Sequence, residues 1–323
     1  MKAMLCKELG HPSTMVLEEV PSPVPGKKEV LVTIKACSVN FPDTLIVQGL
    51  YQFKPSLPFS PGSDVAGVVK AVGEGVKHVK PGDDVFGLVS NGGFAEEVVV
   101  PAASVFPKPP MMDYKTAASF MMAYGTSYYA LKDRANLKEG ETLLVLGASG
   151  GVGLAAVELG KAMGAKVIAA ASTQEKLDLC KKYGADELIN YKEEDLKKRV
   201  KELTGGKGAN VIYDPVGGDY TEAALRATAW EGRFLVIGFP AGIAKIPMNL
   251  PLLKGCQIVG VFWGSFAQRS PQENMKNTMD LITMFGKGQL KPHIGGVYSL
   301  ANSKQALIDM MARKVKGKVI IEP

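Results

Sequence analysis

The apolar run Leu143-Leu144-Val145-Leu146 breaks into Gly147-Ala148-Ser149-Gly150-Gly151-Val152-Gly153, and no other stretch constrains the fold of this chain as tightly. Glycine lacks a β-carbon, so the backbone can turn sharply out of a strand, admit a pyrophosphate close to main-chain N–H groups, and let the next helix lie close on the strand. The phosphates then meet the N-terminus of that helix, where unpaired N–H groups and the helix dipole favour an anion. The spacing Gly147, Gly150, Gly153 differs from the common Gly-x-Gly-x-x-Gly, so the context has to carry the argument. Val152, Leu154, Ala155, Ala156, Val157, Leu159 and Ala162 form an apolar helical pattern ending near Gly164, and Lys166 to Ala171 reads as a second buried strand. That is a complete strand-helix-strand unit of roughly 30 residues, the size of a dinucleotide site. A glycine-rich turn in some other α/β sheet explains the glycines but not their surroundings.

At the end of the second strand, where NAD-binding proteins carry an Asp or Glu on the ribose 2′-OH, this chain has Ala170-Ala171-Ser172-Thr173. A carboxylate there repels a 2′-phosphate. Small residues, the Ser172 hydroxyl and the Lys176 cation one helical turn later accommodate it, so NADPH is expected over NADH. Taken alone, Lys176 fits an ordinary solvated face with Glu175 equally well.

At 323 residues the chain exceeds the size at which one hydrophobic core stops growing, about 250–300 residues, so two domains are expected. A hydrophobic content of 46% with 22% charged residues is ordinary for a soluble globular protein, and no apolar run approaches the ~20 residues that span a bilayer. The opening Met1-Lys-Ala-Met-Leu5 runs directly into strand-like sequence, without a signal-peptide core or an Arg-rich transit helix, and a cytoplasmic location is expected. The net charge of +6 is moderate and dispersed. Its one cluster, Lys192 to Lys201, is interleaved with Glu193, Glu194 and Asp195 and reads as a salt-laced helix surface. No nucleic-acid module accompanies it, and nucleic acid is not an expected partner. Cys6, Cys37, Cys180 and Cys256 form no Cys-x-x-Cys pair, which argues for reduced, mostly buried thiols and against both a disulfide scaffold and bound zinc. His11, His78 and His293 lack metal-ligand spacing and read as structural.

Residues 1 to 123 read as short strands punctuated by glycine and proline. Val30, Val32, Ile34 and Ala36 alternate with polar neighbours, and further strands are expected at Val65–Val72, Val85–Val89 and Phe94–Val100, together a β-barrel-like unit. From 124 to about 262 helical patterns alternate with the apolar strands Val211–Asp214, Phe234–Ile237 and Ile258–Phe262, as in a doubly wound parallel sheet. From about Ser265 onward, helical patterns at Met275–Phe285 and Ser303–Met311 precede a last strand, Lys318–Glu322, expected to return to the first domain. The expected organisation is 1–123 completed by 265–323, around a central domain 124–264.

Over its whole length the chain resembles the medium-chain dehydrogenase/reductases, specifically the zinc-independent, zeta-crystallin-like quinone oxidoreductases. The order of motifs carries the resemblance: Ala36-Cys-Ser-Val-Asn40-Phe-Pro-Asp43, Gly49-Leu-Tyr51, Pro61-Gly-Ser-Asp64-Val-Ala-Gly67, Gly125-Thr126, the glycine turn, and Tyr213-Asp-Pro-Val-Gly217-Gly218. It implies an α/β protein in which both chain ends form a GroES-like β-barrel catalytic domain and the middle a Rossmann doubly wound parallel-sheet domain. Zinc-dependent alcohol dehydrogenases of this superfamily hold their catalytic metal with two cysteines and a histidine. The matching positions here are Asn40, Ser63 and Met122, none an ordinary zinc ligand, and Val85 to Phe94 passes between strands without the structural-zinc lobe. No metal is expected.

The resemblance implies roles residue by residue. Asn40, Asp43 and Tyr51 line the cleft beside the nicotinamide, Asn40 also touching the cofactor, and Thr126 lies under it. Tyr51 is expected to hydrogen-bond the cofactor or acceptor oxygen and to relay a proton, because a phenol both donates and accepts. As a structural alternative, Tyr51 packs on Phe53 and Pro55, and Asn40 and Asp43 only form a turn. Ser149, Gly150, Gly151 and Val152 are implied to meet the pyrophosphate. Ser172, Lys176, Tyr191 and Arg313 are implied to surround the 2′-phosphate, and Gly238, Phe239, Phe262, Trp263 and Gly264 to flank the ribose and nicotinamide. Relatives pair Gln257 to Phe262 in homodimers, so a homodimer is expected.

Without a Lewis acid, hydride must go to an acceptor that is already electrophilic, held against the nicotinamide in a dry cleft. The expected activity is therefore NADPH-dependent, metal-free quinone reduction. One alternative is reduction of α,β-unsaturated aldehydes, ketones or acyl-CoA thioesters. Another is a non-catalytic NADPH-binding structural or RNA-binding protein.

Overall fold

In a computed structural model describing all residues from 1 to 323, the chain divides into two compact units, 1–122 with 292–323, and 123–291. In the first, β1 (Lys2–Leu5) pairs antiparallel with β2 (Val16–Glu19). The long β3 (Glu29–Val39) leads into α1 (Phe41–Val47), then β4 (Asp64–Val72), β5 (Asp84–Leu88), β6 (Glu97–Pro101), β7 (Val105–Pro107) and α2 (Tyr114–Ala118). Strand β3 organises the unit. It runs antiparallel to β4 along one side, while β6 takes only its first half, Glu29 to Thr33, on the other. Val30, Val32 and Ile34 point into a core with Met4, Val65 and Phe94, which is why that stretch alternates in the sequence.

The second unit takes in most of α3 (Met121–Tyr128) and continues with β8 (Thr142–Val145), α4 (Gly151–Ala162), β9 (Lys166–Ala171), α5 (Gln174–Lys182) and β10 (Glu187–Asn190). Then come α6 (Leu196–Leu203), β11 (Ala209–Asp214), α7 (Tyr220–Arg226), β12 (Thr228–Val236), α8 (Asn249–Lys254), β13 (Gln257–Gly260), α9 (Trp263–Arg269) and α10 (Pro271–Gly286). The six strands are all parallel, in the order β10-β9-β8-β11-β12-β13. Winding therefore reverses between β8 and β11, the switch point at whose carboxyl strand ends sheets of this kind bind ligands. Leu144, Leu146, Ile168, Ile212 and Phe234 are buried, as continuous apolar runs in a parallel sheet require.

The chain then returns to the first unit as β14 (Ile294–Ser299), α11 (Ser303–Met311) and β15 (Lys318–Glu322). Strand β15 lies antiparallel to the second half of β3, pairing Val319 with Val39 and Ile321 with Cys37, so the sheet reads β14-β15-β3-β4-β5-β7. The return occurs at residue 292 and not at 265. Helices α9 and α10 belong to the second unit, where Asn277 and Asp280 of α10 hold Lys132 at 2.7 and 3.0 Å. The basic cluster is a salt-laced helix as expected, with Arg199 of α6 paired to Glu194 and Glu202. No helix is long and apolar enough to cross a membrane.

Candidate active site

In the second unit, the chain leaves β8 at Val145 and turns at Gly147, whose φ of +54° is a left-handed conformation. A β-carbon on Gly147 would lie 2.8 Å from Val216, and one on Gly153 would lie 2.4 Å from the Gly147 carbonyl oxygen. Helix α4 starts at once from Gly150, with no side chain capping it and no acidic residue in its first turn. Its first N–H groups lack intrahelical acceptors, so the turn presents donors that suit an anion. Facing it across the switch point, Asp214 ends β11 and shapes the next loop. Its Oδ1 accepts the N–H groups of Val216 and Gly217 at 2.9 Å, and its Oδ2 accepts the Thr221 hydroxyl at 2.7 Å. The sequence reading used Asp214 only as part of a motif; an Asp three residues before Gly-Gly is a turn signal that marks this role.

Thr126 is anchored indirectly. The buried Tyr213 hydroxyl donates to Ser127 Oγ at 2.8 Å, which donates onward to the Val152 carbonyl at 2.9 Å. This chain of bonds ties α3 to the first turn of α4. Because the strands are parallel, Ser149, Ser172, Tyr191, Gly238 and Phe262 all follow strand ends on the same edge of the sheet. Ser172 and Lys176 are half-buried there, and no carboxylate precedes Glu175. Tyr191 packs on Tyr220 with ring centroids 4.4 Å apart, while Phe239 and Phe262 are exposed and Gly264 lies in α9.

Trp263 is held by packing within the second unit. Its indole is buried, donates to Asn274 Oδ1 at 3.0 Å, and lies so close to Gly125 that a β-carbon there would come within 2.6 Å of it. It packs α9 onto α3. Arg313 lies in the first unit, at the end of α11 with a φ of +57°, whereas Ser172, Lys176 and Tyr191 lie in the second.

In the first unit the strand register itself assembles a polar cluster. Ser38 of β3 pairs with Asp64 of β4 on one side and with Ile320 of β15 on the other, and two residues further along, Lys318 comes opposite Asn40. Lys318 Nζ donates to Asn40 Oδ1 at 2.5 Å and lies 3.7 Å from Asp64 Oδ2. Asn40 Nδ2 faces Ser38 Oγ at 3.3 Å and Asp64 Oδ2 at 3.4 Å. Asp64 also accepts the Ser38 hydroxyl at 3.0 Å and the Met122 N–H at 3.2 Å. All four side chains are buried. Burial pushes the Lys318 ammonium down and the Asp64 carboxyl up, each opposed by the attraction between them.

Asp43 lies beside this cluster in the chain and is held by backbone. It accepts the Asn40 N–H at 2.7 Å on one oxygen and the Gly62 N–H at 3.2 Å on the other, which caps α1 and ties down the loop before β4. Both oxygens are engaged by backbone, the turn-forming alternative. Burial raises its carboxyl to about 7. Tyr51 is half-buried against the same core, and its phenol is pushed up by burial and then by Asp43. Lys318 was missed as a site residue. Its signal was a lysine opening a strand whose next three residues, Val319, Ile320 and Ile321, are all apolar and buried.

Two domain families match the chain: the alcohol dehydrogenase GroES-like domain over residues 26–110 and the zinc-binding dehydrogenase domain over residues 151–283. Over 99% of its length the chain is 40% identical to the quinone oxidoreductase-like protein 2 homolog of Nematostella vectensis, covering 88% of that protein. The quinone oxidoreductase of Pseudomonas syringae pv. Tomato superposes with a TM-score of 0.94 at 33% identity, over 100% of this chain and 99% of that one. The Escherichia coli quinone oxidoreductase, solved complexed with NADPH, superposes with a TM-score of 0.93 at 30% identity over 100% of both chains.

The name of the second domain family raises the question of zinc, and the residues present do not fit it. Asn40 Oδ1 already carries the Lys318 ammonium, which would repel a cation. Ser63 supplies a neutral hydroxyl and Met122 a thioether, weak donors for zinc, and no three His, Cys, Asp or Glu side chains converge as a metal site. With this donor set, the GroES-like and Rossmann-type units, and full-length similarity to quinone oxidoreductases, the chain belongs to the zinc-independent quinone oxidoreductase family of the medium-chain dehydrogenase/reductases.

Proposed function

We propose that this chain is an NADPH-dependent reductase that delivers hydride to a quinone without a metal. The observation that carries the reading is the uncapped, acid-free start of α4 beside a β9 end whose next residues, Ser172 and Thr173, bring no carboxylate. The first suits a pyrophosphate and the second a 2′-phosphate. Gly150, Gly151 and Val152 then hold the pyrophosphate through backbone N–H groups, with Ser149 beside them, and Ser172, Lys176 and Tyr191 bind the 2′-phosphate. Thr126, Gly238, Phe239, Phe262 and Gly264 border the ribose and nicotinamide. Bound NADPH supplies the hydride, and reduction of a quinone to a hydroquinone consumes one further proton. Tyr51 donates a hydrogen bond to the acceptor oxygen, and Asn40 orients the reacting groups from its buried mooring.

The test is an NADPH-oxidation screen over quinones, enals and enoyl thioesters, with NADH in parallel. Fastest turnover with quinones and at least tenfold tighter binding of NADPH than NADH is expected. Faster turnover of an enal or enoyl thioester moves the assignment to carbon–carbon double-bond reduction. Tight NADPH binding with no turnover of any acceptor leaves a binding protein.

We also infer a homodimer through β13, one of the two edge strands of the sheet. Ile258 on that strand and Leu252 and Leu253 of α8 are 38%, 77% and 64% exposed, an apolar border that a second copy would cover. Light scattering should return twice the 34.4 kDa monomer mass, and a monomer at micromolar concentration sinks the inference. Four free, buried cysteines fit a reducing compartment such as the cytoplasm.

A further inference from the structure

Lys318 is 5% exposed in the interior of the first unit, on a strand whose following residues are apolar. A buried ammonium is costly unless its geometry is good. If Lys318 served only to neutralise Asp64, direct contact with that carboxylate would serve best. The ammonium lies instead 2.5 Å from the Asn40 carbonyl oxygen and 3.7 Å from Asp64. It is aimed at the carboxamide.

From this geometry we infer that Lys318 is a positioning residue that locks the Asn40 carboxamide in one orientation, without itself touching cofactor or acceptor. The inference rests on the NADPH-dependent reductase reading above. An ammonium can only donate and an ionised carboxylate can only accept. Lys318 on the oxygen side and Asp64 on the nitrogen side therefore forbid the flipped amide, which would set NH₂ against NH₃⁺. The same two charges draw electron density toward Oδ1 and make the Nδ2 hydrogens stronger donors. Nδ2 carries two of them, and its contacts with Ser38 and Asp64 are long, at 3.3–3.5 Å. Contacts of that length hold the hydrogens loosely, so an acceptor presented by the reacting groups can compete for one of them. The register of β3, β4 and β15 holds all members of the arrangement on rigid strands, the support that a positioned donor needs.

The test compares Lys318→Met, Lys318→Arg and the charge-neutral double variant Lys318→Met with Asp64→Asn. In cofactor-free protein carrying ¹⁵N-asparagine, the Asn40 side-chain amide resonances, assigned with Asn40→Ala, report its orientation directly. Asn40 amide shifts displaced from those of a solvent-exposed asparagine are expected in wild type and Lys318→Arg, and shifts moved toward the exposed values in Lys318→Met, because slow C–N rotation keeps the two protons distinct and only their surroundings change. In turnover, Lys318→Met should lose at least tenfold in kcat, with quinone KM and NADPH Kd within threefold of wild type, and Lys318→Arg should recover most of the loss. The double variant should regain wild-type stability but remain slow. Wild-type kcat in the double variant, or unchanged Asn40 resonances in folded Lys318→Met, overturns the inference and leaves Lys318 a charge balance. If the wild-type protein reduces no quinone, the functional reading fails, while the Asn40 resonances still decide the role of Lys318.

Discussion

Two glycine-to-alanine substitutions on α4 separate a phosphate-holding turn from a well-packed helix. Neither Gly153 nor Gly160 has a positive φ, and at each an alanine gains about 1 kcal/mol of helix propensity. They differ in what the new methyl meets. At Gly153 it meets backbone, the Gly147 carbonyl oxygen at 2.4 Å and Ala148 Cα at 2.9 Å. An ordinary C···O contact is about 3.3 Å, so the turn and α4 must separate by roughly 0.9 Å. At Gly160 the methyl meets the side chains of Leu143 at 2.6 Å and Val167 at 3.0 Å, far from the turn. Overpacking costs about 1–3 kcal/mol in either case, so net destabilisation should be similar, about 0–2 kcal/mol or up to roughly 8 °C in Tm. Binding should not be similar. A shift of that size removes about one charge-assisted N–H bond to phosphate, worth about 1.5–3 kcal/mol, and weakens NADPH binding about 10- to 150-fold in Gly153→Ala. Gly160→Ala should stay within about threefold of wild type by fluorescence titration. Equal losses in the two variants, or unimpaired binding by Gly153→Ala, would refute the reasoning.

Tyr51→Phe removes only the phenol oxygen and should lower kcat with a quinone at least tenfold, with NADPH affinity unchanged in the same preparation; an unaltered kcat removes Tyr51 from the chemistry. The Asp43 carboxyl, ordinarily near 3.8, is raised to about 7 by burial, so the fold favours its neutral form. That contribution to stability is complete below pH 4 and is lost as pH rises through 7, by up to about 4 kcal/mol. Urea unfolding should therefore show wild-type stability falling more steeply between pH 4 and 8 than in Asp43→Asn, with the raised Asp64 sloping both curves alike; parallel profiles rule the shift out.

Much of the fold was legible because it is written in local patterns. The limits of β9, α11 and β15 fall at the expected residues, Lys166–Ala171, Ser303–Met311 and Lys318–Glu322, since burial of a strand on both faces and a 3.6-residue apolar stripe leave distinct marks. The glycine turn was legible for the same reason. The end of the central unit was not. Helices α9 and α10 are amphipathic whichever core they join, and only contacts such as Lys132 with Asp280 assign them. Position after a strand likewise does not reveal that the Trp263 ring packs on Gly125.

The amino-acid order by itself determined the two kinds of unit, the strand-turn-helix that suits a dinucleotide, and the residues unsuited to zinc at Asn40, Ser63 and Met122, because each is a matter of residue chemistry at short range. Tertiary structure alone decided that Lys318 meets Asn40 across 278 residues of chain, and that Asp43 gives both oxygens to backbone N–H groups. Those outcomes depend on the register between β3 and a strand from the far end of the chain. Register is set by the joint burial of whole strand faces, which no short stretch of sequence contains.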